Sequence, residues 1–263
     1  MKLKCLRVSL LGIFPLLYGP STAVAQLSSF AVLGGSTVTN TNTPTIVTGN
    51  LGVSPGSAVT GFPPGIVTGG SIHAADATAA QAQTDLTTLY NNLASSSCST
   101  VLTGQNLGGL TLTPGVYCFA SSAQLTGTLT LDAQGNSNAV FIFQIGSTLT
   151  TASASSVLLI NNASSCGVFW QVGSSATLGT GTTLAGSIVA LTSITLNTGS
   201  SVSGRTLARN GAVTLDDNHV TVCSGGPALP FAVVVPTLSG WMMIVLTGLL
   251  VMFGLAALRR RAT

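Results

Sequence analysis

Residues 176–190 read ATLGTGTTLAGSIVA, and 18 positions later residues 194–208 read ITLNTGSSVSGRTLA. A period near 20 residues constrains a fold more than any other feature of this chain. Each repeat is too small to bury its own apolar face, so successive repeats must stack and share one continuous core. A second self-similarity agrees: Val140-Phe-Ile-Phe-Gln-Ile-Gly-Ser recurs 27 residues on as Gly167-Val-Phe-Trp-Gln-Val-Gly-Ser. The repeats are short, rich in Thr, Val, Ile and Leu, and punctuated by Gly and Asn. This predicts β-strands, not helices.

From 116 to 222 the sequence divides into five turns of three strands. The first strand of each turn is the most apolar: 116–119, 140–145, 168–172, 187–190 and 205–208. Such near-continuous apolar runs are expected to be buried on both faces. The second strand alternates: 121–125, 148–151, 175–178, 194–197 and 212–216. There Leu149, Leu178, Leu196 and Leu215 point inward. Thr148, Thr150, Thr177, Thr195 and Thr214 then point outward, by the two-residue period of a strand. The third strand, 127–132, 155–160, 182–186, 200–204 and 219–222, closes a triangle. Residues 27–73 use the same grammar (Thr37-Val-Thr-Asn, Ile46-Val-Thr-Gly, Ala58-Val-Thr-Gly, Ile66-Val-Thr-Gly) and add one or two turns that cap or extend the stack. Between them and the repeats lies a helical stretch, about 74–97, with Ala82, Leu86, Leu89 and Leu93 on one stripe. At 1.5 Å per residue it would span about 33–36 Å. Six stacked turns at about 4.8 Å would stand about 29 Å tall. The helix is therefore expected to lie along the whole apolar side.

Both ends of the chain read as targeting segments. Residues 1–25 combine a basic start (Lys2, Lys4, Arg7), an apolar stretch and Ala23-Val-Ala, as in a secretory signal peptide. Residues 224–235 form a Pro/Gly-bearing linker. Then come Val235-Pro236-Thr237-Leu238-Ser239, an apolar run over 241–258 and Arg259-Arg260-Arg261. The run just suffices to cross a bilayer as a separate C-terminal transmembrane helix, with the arginines on the cytoplasmic side. Without these ends, the domain 26–223 carries two arginines against five aspartates, no lysine and no glutamate, a net charge of −3. That excludes a basic nucleic-acid footprint.

Four phrases in particular, Phe30-Ala-Val-Leu-Gly-Gly-Ser-Thr-Val-Thr-Asn, Gly49-Asn-Leu-Gly-Val-Ser-Pro-Gly, Leu112-Thr-Pro-Gly-Val-Tyr and Gly204-Arg-Thr-Leu-Ala-Arg-Asn-Gly-Ala-Val-Thr-Leu, resemble the DUF3494-type ice-binding proteins of bacteria and fungi, as does Phe141-Ile-Phe-Gln-Ile-Gly-Ser. The likeness spans about 27–223. It implies a mainly β fold: an irregular right-handed β-solenoid of triangular section with one long α-helix packed along one side. It also implies adsorption to ice through one flat face, without cofactor or metal, in a protein exported to the cell envelope or beyond and expected to be monomeric. Some members of the family show Thr-Ala/Gly-x-Thr/Asn stretches by the binding face. Thr180-Gly-Thr-Thr183 fits that pattern, whereas Thr198-Gly-Ser-Ser201 and Thr151-Ala-Ser-Ala154 depart from it at the last position. The expected ice-binding face accordingly comprises Thr148, Thr150, Thr151, Thr177, Thr180, Thr183, Thr195, Asn197, Thr198, Ser201 and Thr214. The third side, with Thr128, Thr130, Thr183, Ser201 and Thr221 pointing out, is the runner-up. The C-terminal motif, helix and Arg cluster resemble the IPTL-type sorting signals of Gram-negative bacteria, with Val235 in place of the usual Ile. This implies a sorting protease as partner, and a membrane contact through 241–258 before processing.

The rival classes have less to build on. Polysaccharide-cleaving enzymes on solenoids need clustered acids or a base with a metal. The one cluster here, Asp216-Asp217-Asn218-His219, falls at a corner and reads as an Asx-type turn with a surface His. His73 precedes the helix, and Asp76 suits its N-terminal dipole. A non-enzymatic adhesin or matrix protein with the same fold is the other alternative. Of the cysteines beyond the signal peptide, Cys98 and Cys118 form a plausible pair. Cys166 and Cys223 fall at equivalent corners about three coils, or ~14 Å, apart. A disulfide needs Cα atoms within roughly 7 Å, so that pair is not expected unless the linker folds back.

Overall fold

The computed structural model describes residues 27–41 and 44–223. The signal-peptide segment 1–25, the linker 224–235, the motif Val235–Ser239 and the apolar run 241–258 lie outside the described residues. All pairing between the strands is parallel, and it runs in three ladders, one per side of a coil. The helix side contains Gly115–Phe119, Phe141–Ile145 and Val168–Val172, followed by the second halves of Thr183–Ala190 and Ser201–Ala208. The threonine side is a sheet of seven strands that includes Ala123–Leu125, Leu149–Thr151, Ala176–Leu178, Ile194–Leu196 and Val213–Leu215. The third side runs through Thr128–Asp132, Ser156–Ile160, the first halves of Thr183–Ala190 and Ser201–Ala208, and His219–Thr221. The fifteen expected segments are all extended but form thirteen strands, because Thr183–Ala190 and Ser201–Ala208 each run through two of them; the remaining ends agree within a residue or two.

The stacking order was not legible in the repeats. Residues 30–53 do not sit ahead of residue 116. They stack on the last coil instead, with Val32 opposite Thr206, Val38 opposite Val213 and Val47 opposite Val220. A second N-terminal turn follows outward through Asn50–Val53, Ala58–Thr60 and Ile66–Thr68, and Ile72–Ala74 ends the stack. The chain then returns along the helix and starts again at the opposite end. There Thr100–Val101 and Thr111–Leu112 add a partial coil that the repeats did not reveal.

The helix spans Ala77–Ala94, shorter at both ends than 74–97. Ala74 belongs to the last strand, and Ala75 turns the chain with φ 52°. Asp76 caps the first turn, its Oδ1 accepting from the Ala79 N–H at 2.8 Å while its Oδ2 meets His73 Nδ1 at 2.7 Å. Eighteen residues reach about 27 Å. The helix side is nine strands deep, about 38 Å at the usual strand spacing. The helix therefore covers the middle of its side and one end, not the whole. Val101, at the other end, is 69% exposed. Where the helix lies, Ala82, Leu86, Leu89 and Leu93 pack on Phe30, Ile142, Phe169, Val189 and Leu207. That contact is why these strands are apolar on both faces.

The amide of Ala79 and the His73 ring hold the Asp76 carboxyl below the usual carboxylate range. A lowered folded pKa stabilises the protein above the unfolded value, and that contribution fades as pH falls through the folded one. Asp76→Ala is expected to cost about 1 kcal/mol of unfolding free energy at neutral pH. Urea denaturation should show the deficit narrowing as the pH is lowered into the acid range.

Inside the triangle, Tyr117, Phe143 and Trp170 stack in successive coils. The Phe143 and Trp170 centroids lie 4.0 Å apart at 9°. The Trp170 indole N–H donates to the Ala185 carbonyl at 3.0 Å, so its one polar group is satisfied in the core.

Two disulfides close the described chain. Cys98–Cys118 forms as expected, with Cα atoms 6.0 Å apart. Cys166–Cys223 also forms, at 5.4 Å, against the expectation from coil spacing. The cause is the loop 161–167. Coils 183–190 and 201–208 turn from the third side to the helix side with no loop at all, through Gly186 and Gly204. The longer loop of the coil above drops across these bare corners, and Ser165 Oγ reaches Ser203 Oγ at 3.3 Å. Cys166 thereby arrives beside the end of the last coil, and no refolding of the linker is needed.

Candidate functional site: the threonine side

The register of the seven-stranded sheet places one outward threonine per coil in a single file. Thr150 lies opposite Thr177, Thr177 opposite Thr195, Thr195 opposite Thr214, Thr214 opposite Thr39, and Thr39 opposite Thr60. Gln124, opposite Thr150, extends the file at one end. Five steps at about 4.8 Å make a row of threonines about 24 Å long. The residues on either side of Thr150, Thr177, Thr195, Thr214 and Thr39, such as Ile194 and Leu196 around Thr195, are buried, and those beside the terminal Thr60 are half-buried. The alternation therefore fixes every hydroxyl and methyl of the row on the outer surface. No charged residue interrupts it.

A second file of small residues borders the first. It runs through Ser122, Thr148, Ser175, Ser193, Ala212, Thr37 and Ala58, each one position ahead of the inward residue in its strand. Its hydroxyls bond across the coils. Thr148 Oγ1 donates to Ser122 Oγ at 2.9 Å, and Ser175 and Ser193 accept from the Ser193 and Ala212 amides at 3.3 and 3.2 Å. Small side chains tied to the backbone keep this part of the side flat.

The other expected site residues are distributed around the molecule. Thr151 is a correction: it is 3% exposed, shares a hydrogen bond with Thr182 at 2.8 Å and accepts from the Gly179 amide. Its side chain belongs to the interior of the corner and offers nothing to a surface ligand. Thr180, Asn197 and Thr198 stand exposed at the corner between the threonine and third sides. Thr183 and Ser201 are register partners on the third side, so they do not share a plane with Thr177 and Thr195.

The same corner explains the Thr-Gly-x-Thr/Ser phrase. Gly181 and Gly199 occupy positive φ, at 66° and 71°, and Ala154 and Asp217 take the same turn position in neighbouring coils. The following residues, Ser155, Thr182, Ser200 and Asn218, are buried polar groups that bond to carbonyls of the preceding coil or to one another. The phrase is thus turn chemistry: a left-handed residue followed by an inward hydrogen-bonding one. The Asp216-Asp217-Asn218-His219 cluster belongs to this series. Asn218 accepts from the Asp216 amide, while His219 points out from the third side. Among the described residues no cluster of three or more His, Cys, Asp or Glu is placed to hold a metal ion.

The third side is less uniform. The file starting Thr128, Ser156, Thr183, Ser201 continues into His219, Ile46 and Ile66. Leu158, on the same side, is 50% exposed, and the 161–167 loop reaches Ser203 at its margin. Two features on the threonine side escaped the sequence reading: the membership of Thr39 and Thr60, and the Gln124 extension. The Val-Thr-Asn and Val-Thr-Gly phrases carried the signal, since each sets one outward Thr between an inward Val and a corner.

Comparison with known proteins agrees with this geometry. A family model described as Ice-binding-like matches residues 32–221. An ice-binding protein of Nostoc sp. (strain HG1) is 63% identical over 195 residues, covering 74% of this chain and 71% of that one. The crystal structure of an ice-binding protein from an Antarctic biological consortium superposes with a TM-score of 0.73 at 45% identity, covering 81% of this chain and 96% of the other. That of an ice-binding protein from the ascomycete Antarctomyces psychrotrophicus gives 0.74 at 40%, covering 77% and 98%. Parallel three-sided coils, a helix along one side and sequence identity over most of the domain converge: the chain belongs to the ice-binding-like family.

Proposed function

We propose that this protein binds ice, and that it adsorbs through the threonine side. The observation that carries the reading is the unbroken file Thr150, Thr177, Thr195, Thr214, Thr39 and Thr60 on a flat, charge-free sheet. Its step of about 4.8 Å is close to repeat distances in the ice lattice. Regular hydroxyls anchor ordered water, and the methyl beside each one favours cage-like hydration over bulk-like bonding. A lysine or glutamate in the file would organise water around its own charge, and none is present. The third side, with His219, Leu158 and the crossing loop, gives no comparable array. Within the same reading the coil is right-handed, as the likeness to the family suggests, the protein acts without catalysis, and the domain works as a monomer.

The sequence beyond the solenoid supports export. Residues 1–25 serve as a signal peptide, and residues 236–263 direct the chain to the envelope, where a sorting protease acts near Val235–Ser239 or the 241–258 segment stays in the bilayer. No helix among the described residues is long and apolar enough to cross a membrane. The domain 26–223 at micromolar concentration is expected to inhibit ice recrystallisation and to shape single crystals. Unaltered ice growth would leave the adhesin or matrix role as the better reading.

A further inference from the structure

The matched phrases Phe141-Ile-Phe-Gln-Ile-Gly-Ser and Val168-Phe-Trp-Gln-Val-Gly-Ser each set a glutamine on the helix side. Gln144 and Gln171 are register partners one coil apart, in file with Val189 and Leu207 of the next coils. Gln144 has a structural duty. Its Nε2 donates to the Leu93 and Ser96 carbonyls at 2.7 and 2.6 Å and so closes the C-terminus of the helix. Gln171 has no such duty. It is 5% exposed, yet its side-chain amide makes no hydrogen bond to any described residue. Burying an amide in this state is unfavourable unless something from outside takes up its bonds. The strand itself does not call for it, since Val189 packs against the helix at the same place one coil on.

Both glutamines line a groove of about 610 Å³ beside the last turn of the helix, on the part of the helix side left bare. Small-molecule sites commonly enclose about 300–1,000 Å³. The floor continues over Gly146 and Gly173, where successive coils lie backbone on backbone: a Cβ at Gly173 would be 2.5 Å from the Gly146 carbonyl oxygen. No side chain rises there, and the groove stays open to solvent. Tyr90 stands toward the later coils, its ring held by the Arg209 guanidinium 4.8 Å from the centroid. The exposed Val101 stands toward the first coil. Gln144 adds an acceptor, because its Oε1 lies 3.2 Å from Cys118 Sγ, a disulfide sulfur with no proton to give. The groove thus combines carboxamide donors and acceptors, an aromatic ring and aliphatic surface, and no charged side chain lines it.

We propose that this groove is a second binding site, for a neutral saccharide such as a short stretch of a surface or matrix polysaccharide. A sugar presents hydroxyls that both donate and accept, which suits a carboxamide, and apolar C–H faces, which suit a tyrosine ring. An ionic ligand would be desolvated with no partner of opposite charge. A peptide of extended backbone adds to an open strand edge, whereas this floor is the face of a sheet whose strands are already paired on both sides. The groove and the threonine file lie on different sides of the coil, so a bound saccharide leaves the file uncovered. The inference does not depend on what the threonine side binds.

The test is a titration of the domain 26–223 with cellobiose, maltose and N,N′-diacetylchitobiose, followed by NMR through the side-chain amide resonances of Gln171. The domain stands alone as a folding unit, since the related crystal structure is matched over 96% of its length. At least one disaccharide is expected to bind in the millimolar range and to shift those resonances. Gln171→Leu should weaken that binding about tenfold, and Tyr90→Ala should weaken it as well. Gln171→Leu is also expected to unfold at no lower urea concentration than the unmodified domain, because a leucine there meets the helix as Val189 does. The charged digalacturonate should bind more weakly than the best neutral disaccharide. No shift with any of the three, or shifts that leave Gln171 untouched, overturns the proposal without recourse to a variant. Unchanged affinity in Gln171→Leu overturns it too, as does preference for digalacturonate or for a blocked glycine-serine peptide. Ice activity is not part of the readout, so a failure of the ice-binding reading leaves this result standing.

Discussion

Gly204→Ala should be among the most damaging single-methyl additions available in this chain. At Gly204 the strand Ser201–Ala208 turns the corner with φ 149°, and a Cβ there would lie 2.1 Å from the Gly186 carbonyl oxygen and 2.5 Å from its carbon. Both obstacles are backbone, so no side chain can rotate away. The positive φ costs a non-glycine residue about 1–3 kcal/mol, and overpacking a fixed site costs about 1–3 kcal/mol more. Gly199→Ala is the internal control. Its φ is 71°, but a Cβ would meet nothing within 4 Å. It should lose only the conformational part, about 1 kcal/mol. Urea unfolding of the two variants, side by side, measures the difference. Equal losses would mean that the coils do not meet at the Gly186–Gly204 corner as described.

The second large effect concerns function and tests the stacking order. Thr39 is far from Thr214 in sequence, yet the two are partners in the threonine file. Thr39→Tyr is expected to abolish most ice activity while leaving the fold intact, because its side chain points outward between the inward Val38 and Asn40. Thr39 is the fifth of the six threonines in the file, and a ring standing above it would hold the neighbouring threonines off a flat surface. A residue on which an interface depends commonly carries about 2 kcal/mol or more, which is more than a tenfold loss. Had the N-terminal turns merely preceded the repeats, Gln124 would stand between Thr39 and the other threonines and the substitution would be mild.

That contrast shows what the sequence makes legible and what it does not. The coil is legible because its signals are local. Apolar residues alternate on the threonine side, apolar runs mark the helix side, and Gly or Asn marks the corners, so Val168–Val172 is found to the residue. The position of a coil in the stack has no local signal. Residues 37–40 and 213–215 would pair equally well with many strands of the same pattern. Their partnership is set by the long return of the chain along the helix. The same limit explains the missed disulfide. Coil spacing places Cys166 and Cys223 far apart, and only the loop lying across Gly186 and Gly204 brings them together. Thr151 was misplaced for a subtler reason. The two-residue period already turns it inward after Thr150, and the Thr-Ala-Ser-Ala phrase suggested otherwise.

The central claim is that one side of the coil, and not its neighbour, meets ice. Thr195→Tyr and Thr183→Tyr test it most directly, since both residues are partly or wholly exposed, both belong to the 18-residue repeat, and they lie on different sides. Thermal hysteresis would be measured for the domain 26–223 and for each variant at equal concentration, with circular dichroism confirming the fold. The structure predicts that Thr195→Tyr loses most of the hysteresis and that Thr183→Tyr keeps most of it. The reverse pattern, with activity retained in Thr195→Tyr and lost in Thr183→Tyr, would contradict the assignment and move the ice-binding surface to the third side.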